Sequence, residues 1–244
     1  MQFQTIFNQY YTLYRGDSDV PLQTDPEWAI AVRYANVALK RLTHVDGELW
    51  DWLWTDTATQ GETQTYTTSS TLPVITTYSC PTNMLLPGGW IKLTDPVSGG
   101  TTMIDVVPPY TVQTKSGNLP FAYFTGDAQT GFTLNISLTG TTFVGYTINY
   151  PYYRKLTYFN DGAGPYAGVA EDGTTVSECP DANFIINTIL AYRFRSTRNY
   201  PSYDIAHNDA ETALSGMQIK NHMGVNGHTW NSLDGGSGSF GLGY

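Results

Sequence analysis

The chain has 244 residues, enough for one large domain or two small ones with a real core. With 14% charged residues, 14% aromatic residues and 24 Gly, it fits a β-rich body decorated with Tyr and Thr better than a cytosolic metabolic enzyme. A formal net charge of −9 excludes broad binding of nucleic acid or anionic membrane through a basic surface, though not nucleic acid that passes without adhering.

The opening MQFQTIFNQYYTLYRGD has neither a basic n-region nor an apolar core, so no signal peptide is expected. No apolar run reaches the roughly 18 residues of a membrane span. Without an export signal, Cys80 and Cys179, each followed by proline, are expected to be reduced rather than bridged. Residues 3–14 predict a short amphipathic helix with Phe3, Ile6, Phe7, Tyr10 and Tyr14 on its apolar side, ended by Gly16. The connector RGDSDVPLQ follows, and its RGD triplet reads as a turn.

Residues 24–54 carry the longest helical pattern. Trp28, Val32, Ala35, Leu39, Leu42, Val45, Leu49 and Leu53 follow at steps of three or four, one face of an α-helix. Thr24 and Glu27 predict a capping box, with Pro26 in the first turn. Unbroken, such a helix would run about 45 Å. Asp46-Gly47 is its weak point, since Gly inside a helix costs about 1 kcal/mol against Ala. Helical geometry would place Trp50 and Trp54 on one side and Trp52 elsewhere, at a packed junction with the following domain.

From Asp56 the texture changes. Lys92, Lys115, Arg154 and Lys155 are the basic residues between 56 and 160. ETQTYTTSSTLPVIT, WIKLTD, TMIDVV, YTVQT, FAYFTG, FTLNISL and FVGYTINY predict strands, separated by Gly, Pro, Asn and Asp turns. Alternation over Phe132–Leu138 predicts one buried and one solvated face. Short strands about ten residues apart indicate a small antiparallel sandwich or barrel. A looser aromatic segment, YPYYRKLTYFNDGAGPYAGVAEDGTTVSECPD, leads back to helical pattern.

Asp181–Arg198 predicts a third helix, with Arg193, Arg195 and Arg198 suiting the dipole of its last turns. Ser202–Met223 predicts a fourth, capped by Ser202 and carrying Ala206, Ala210, Ala213 and Met217 as a stripe for close packing. The Gly- and Ser-rich end holds spaced hydrophobic anchors. His228, Trp230, Leu233, Phe240, Leu242 and Tyr244 are therefore the candidate partner-binding residues of an arm that orders against a partner; a simple disordered end is the other reading.

The expected fold is α+β. A helical bundle of about four helices is drawn from both chain ends (1–55 and 180–223), with an inserted antiparallel β-sandwich or barrel domain (56–179) and an extended C-terminal arm (224–244). The sequence nominates no catalytic residue, cofactor site or metal site. His44, His207, His222 and His228 form no HExxH, and there is no CxxC, GxSxG or P-loop. His222 and His228 lack acids or cysteines at ligand spacing. His207, Asp209 and Glu211 read as a solvated helix face.

Two stretches, TLYRGDSDVPLQTDPEWAIAVRYANVALKRL…HVDGELWDWLW and CPDANFIINTILAYRFRSTRNYPSYDIAHNDAETALSGM, together resemble the head–tail adaptor (connector) proteins of tailed bacteriophages. The shared layout is a short helix, a D-P-x-W start to a long helix, a β-insert, then two closing helices. The resemblance covers about 140 residues at the two ends, while the β-insert matches only in kind. It implies a structural virion protein at the neck, made in the host cytoplasm, not an enzyme. It implies a homo-oligomeric ring, commonly of twelve subunits, between the portal protein and the adjacent tail protein. Double-stranded DNA would pass its channel without sequence-specific binding, and no membrane is involved. The rival reading is a carbohydrate-binding or adhesin-like β-rich tail or surface protein, with Trp90 and Tyr123 as a stacking platform.

Overall fold

The structure, a computed structural model, describes residues 1–16, 23–43, 49–67, 74–114, 120–138, 142–160 and 171–225. Over these residues the chain is mixed α+β, with four α-helices and antiparallel sheets. They fall into two compact units, one of residues 1–43 with 156–225 and the other of residues 49–155.

In the first unit, α1 (Phe3–Arg15) buries Phe3, Ile6, Phe7 and Tyr10, as the spacing predicts. Gly16, at φ 70°, closes it by donating its N–H to Thr12 O at 2.8 Å. No side chain caps its start. The N–H groups of Phe3 and Gln4 donate instead to the carbonyls of Thr175 (2.9 Å) and Gly173 (3.0 Å), so a strand-like segment far along the chain satisfies the orphan donors. Gly173 sits at φ 86°, where an added Cβ would lie 3.0 Å from the Trp28 ring.

Helix α2 (Pro26–Leu42) starts with Pro26 at its first position, as expected, but the cap is Asp25 rather than Thr24. The Asp25 carboxylate accepts from Glu27 N at 2.8 Å. The helix ends at Leu42, so the predicted run to Trp54 is not formed. Asp46-Gly47 lies outside the described residues. Beyond it Asp51–Leu53 is a single 3-10 turn, and Trp54 already begins a strand. The helical spacing of Leu49 and Leu53 was a coincidence of one half-buried and one buried position in the other unit. Trp50 and Trp52 pack together at 4.5 Å, while Trp54 lies edge-on to Tyr153 at 4.8 Å across a strand pair, which reverses the helical grouping.

Helices α3 (Ala182–Ser196) and α4 (Tyr200–Val225) complete the unit, and α3 packs against each of the other three helices. That explains why it buries Phe184, Ile185, Ile186, Thr188, Ile189, Leu190 and Ala191, while polar positions such as Asn183, Arg195 and Ser196 stay exposed. Asp181 caps it, accepting from Asn183 N at 2.9 Å. It ends in a Schellman turn: Asn199 N donates to Phe194 O (2.9 Å) and Arg198 N to Arg195 O (3.2 Å), with Arg198 in the left-handed region at φ 60°. Helix α4 begins at Tyr200, and Asn199 rather than Ser202 precedes it, accepting from Ser202 N at 3.4 Å. Its buried stripe is Ala206, Ala210, Leu214 and Met217; Ala213 is only half-buried.

The segment from Leu156 to Cys179, expected within the β-domain, belongs to the helical unit wherever it is described. Phe159 is buried with its ring 4.7 Å from Phe3, and Trp28 Nε1 donates to Glu171 O at 3.0 Å. Aromatic burial against α1 and α2 is what holds it there.

The second unit contains ten strands among its described residues: β1 (Trp54–Asp56), β2 (Gln64–Thr65), β3 (Val74–Ser79), β4 (Met84–Pro87), β5 (Trp90–Thr94), β6 (Thr101–Asp105), β7 (Phe121–Asp127), β8 (Gly131–Leu138), β9 (Thr147–Asn149) and β10 (Pro151–Arg154). They form three antiparallel sheets, β1-β10-β4, β2-β9-β5-β6 and β3-β8-β7. None closes on itself among the described residues, so the barrel alternative is not realised. One apolar cluster draws on all three sheets, with Met84 and Tyr152 from the first, Leu93 and Ile148 from the second, and Phe124 and Ile136 from the third.

Three strand expectations change. YTVQT is a 3-10 helix, Pro109–Thr114, because the preceding Pro-Pro favours a turn in which Thr111 N donates to Pro108 O at 2.9 Å. PYYR, within the expected loose return, is strand β10, and MLLP, whose Pro87 was expected to open a turn, is strand β4. The alternate face of β8 is not solvated. Asn135 and Ser137 are buried with Leu134 and Ile136, and Asn135 Nδ2 donates to Thr125 Oγ1 at 3.2 Å. β8 is the central strand of its sheet, so both its edges are paired.

Candidate functional site

The arm residues His228, Trp230, Leu233, Phe240, Leu242 and Tyr244 lie outside the described residues. Of the stacking-platform pair, Trp90 is 38% exposed on β5 and Tyr123 is half-buried on β7, beside Phe121 at 6.4 Å. The two belong to different sheets. Cys80 and Cys179 are free thiols. Among the described residues no group of three or more His, Cys, Asp or Glu is placed to hold a metal ion.

The structure instead assembles a site that spacing did not reveal. Three helices of the first unit enclose a cleft of about 300 Å³. Helix α2 lends Val37, Lys40 and Arg41; α3 lends Thr188, Ala191, Tyr192 and Arg195; α4 lends Tyr203, His207 and Ala210. Within each set the residues fall one turn apart or side by side on one helix face, so each helix turns one short row of side chains to the same space. Ala191 and Ala210 are buried at its floor, and their small side chains leave the opening.

Its walls are aromatic and its rim is cationic. The Tyr192 ring stacks on Tyr34 at 5.4 Å, and Tyr203 stacks on His207 at 5.5 Å with an interplanar angle of 7°. Glu211 grips Arg41 in a two-pronged ion pair, whose Nη2–Oε2 distance is 2.5 Å, and lies 3.6 Å from His207 Nδ1. Hydrogen bonding from Arg41 holds the Glu211 carboxyl below its usual range, against the opposing effect of burial. Of the face expected to be solvated, Asp209 is exposed and Glu211 more than a third exposed, while His207 lines the cleft. The Arg195 guanidinium is exposed and bonds to no other described residue.

A second charged network lies on the other flank of α3. Arg193 donates from Nη2 to Glu27 Oε2 at 2.8 Å, Tyr10 donates its hydroxyl to Glu27 Oε1, and the Arg193 guanidinium lies 5.4 Å from the Tyr14 ring centre. Glu27 is 7% exposed, so this is a buried pair tying α1, α2 and α3 together. Burial, then the bond to Glu27, pushes the Tyr10 phenol well above its normal range. The three arginines predicted for one dipole role thus divide: Arg193 into the helix interface, Arg195 to the cleft, Arg198 into the left-handed turn. Sequence spacing placed all three near a helix end but carried no signal for their partners.

Compared with models of protein families and with curated proteins, the chain matches none.

Proposed function

We propose that this chain is a structural protein of a tailed-bacteriophage virion, a head–tail adaptor that assembles into a ring joining the portal to the next tail component. One observation supports the reading most: helices from before and after the β-rich segment form one unit, while residues 49–155 form another. That split layout is the one the resemblance calls for. On this reading the four helices act as a bundle and the three sheets as a sandwich, with the end beyond α4 as an arm that docks on a neighbouring ring. An acidic chain repeated around a ring, commonly twelvefold, lines a channel to which DNA phosphates do not adhere. No enzymatic step is assigned. Among the described residues no helix is long and apolar enough to cross a membrane.

Native mass spectrometry and electron microscopy of the chain with its portal protein test the proposal. Closed rings seated on the portal are expected; a chain that stays monomeric and ignores the portal would count decisively against it. Removal of 225–244 is expected to weaken attachment while leaving the fold intact. The rival, a glycan-binding β-rich protein, draws on the exposed Trp90, and the absence of any glycan affinity lost on Trp90→Ala or Tyr123→Ala would end it.

A further inference from the structure

We infer that the cleft between α2, α3 and α4 is a docking site for an acidic peptide segment bearing an aromatic side chain, supplied by another polypeptide. The inference stands on the cleft alone and holds whether or not the chain joins portal to tail. A space of about 300 Å³ admits two or three side chains of an inserted segment rather than a globular surface. Val37, Ala191 and Ala210 give it an apolar floor, and Tyr192 and Tyr203 give it flat walls against which an aromatic ring can stack.

Charge complementarity sets the sign of the occupant. Lys40, Arg41 and Arg195 line the cleft in a chain whose overall charge is −9. Long-range repulsion of an acidic segment is screened beyond about 10 Å at 0.1 M salt, so the local cations govern the last approach. Arg41 is already gripped by Glu211, whereas the Arg195 fork engages no other described residue and presents the planar geometry that matches a carboxylate.

The test uses the full chain and three fluorescein-labelled hexapeptides, DEYDFE, NQYNFQ and KKYKFK, followed by fluorescence anisotropy. Saturable binding of DEYDFE is expected, with NQYNFQ weaker by about tenfold, the equivalent of one charge-assisted contact. Arg195→Glu changes an exposed side chain, so folding is preserved; it should weaken DEYDFE by a similar factor and turn the preference towards KKYKFK. Arg33→Glu, on an exposed position of α2 that does not line the cleft, should leave binding unchanged. Equal binding of the neutral peptide, no saturable binding, or equal losses in the two variants would overturn the inference. So would displacement of DEYDFE by inorganic pyrophosphate at lower concentration than by unlabelled peptide, since the site would then be one for phosphate.

Discussion

Asn36 and the main chain of Phe159 hold one another by two hydrogen bonds. Asn36 Nδ2 donates to Phe159 O at 2.7 Å, and Phe159 N donates to Asn36 Oδ1 at 2.9 Å. Both residues are buried, 123 positions apart, so one amide side chain replaces the partners that a strand would have supplied. Asn36→Ala orphans two buried main-chain groups and should cost about 2–4 kcal/mol. Asn36→Asp keeps the acceptor but faces a carboxylate to the Phe159 carbonyl, and should be at least as harmful. Urea midpoints measure both; a loss below about 1 kcal/mol would mean the contact is not formed in solution.

The Glu27–Arg193 pair should respond asymmetrically. Glu27→Ala leaves a mostly buried guanidinium without its partner and is expected to destabilise by about 3 kcal/mol, while the double change Glu27→Met with Arg193→Met should recover much of that. Tyr10→Phe removes only the hydroxyl bond, at about 1–2 kcal/mol. A double-mutant cycle by chemical denaturation reads the coupling, and additive single losses would refute it.

Arg198 holds a left-handed conformation that a side chain finds costly by about 1–2 kcal/mol. Arg198→Gly relieves it at some cost in unfolded-chain entropy, so a net gain of about 0.5–1 kcal/mol in thermal or urea stability is expected. Arg198→Val should do the opposite.

Glu211 predicts a modest acid sensitivity. Its folded pKa lies below the unfolded value near 4.5, chiefly through hydrogen bonding to Arg41. The stabilisation is therefore full above pH 4.5 and lost as pH falls through the lower folded pKa. Both side chains are more than a third exposed, so screening keeps the effect below about 1 kcal/mol. Glu211→Gln should abolish this component of the pH dependence when stability is compared at neutral and acid pH.

Burial pushes the Cys179 thiol up to about 12, which leaves almost no thiolate at neutral pH. Iodoacetamide should label it only after denaturation. Prompt alkylation in the folded chain, followed by peptide mass spectrometry, would contradict its burial.

Regular helices were legible in the sequence because amphipathic spacing and terminal residues act locally: α1, with its Gly16 stop, and the start of α2 stand where the pattern put them. So do the hairpin strands β5, β7 and β8, bounded by Gly, Pro and Asp. Competition between neighbouring segments was not legible. Leu49 and Leu53 kept helical spacing yet were claimed by the β-unit, because β10 offered Trp54 a pairing edge and an aromatic partner in Tyr153. Phe159 and Glu171 looked like loop until Asn36 and Trp28 supplied their bonds. The cleft joins residues from 37 to 210, and which arginine faced it depended on the rotation of α3 against three neighbours at once. The sequence by itself determined that amphipathic helices flank a Thr- and aromatic-rich β segment with an acidic overall charge, since periodicity and charge are properties of the chain read in order. Only the tertiary structure decided where the units divide and which cations and tyrosines converge, because burial and pairing are settled between segments far apart along the chain.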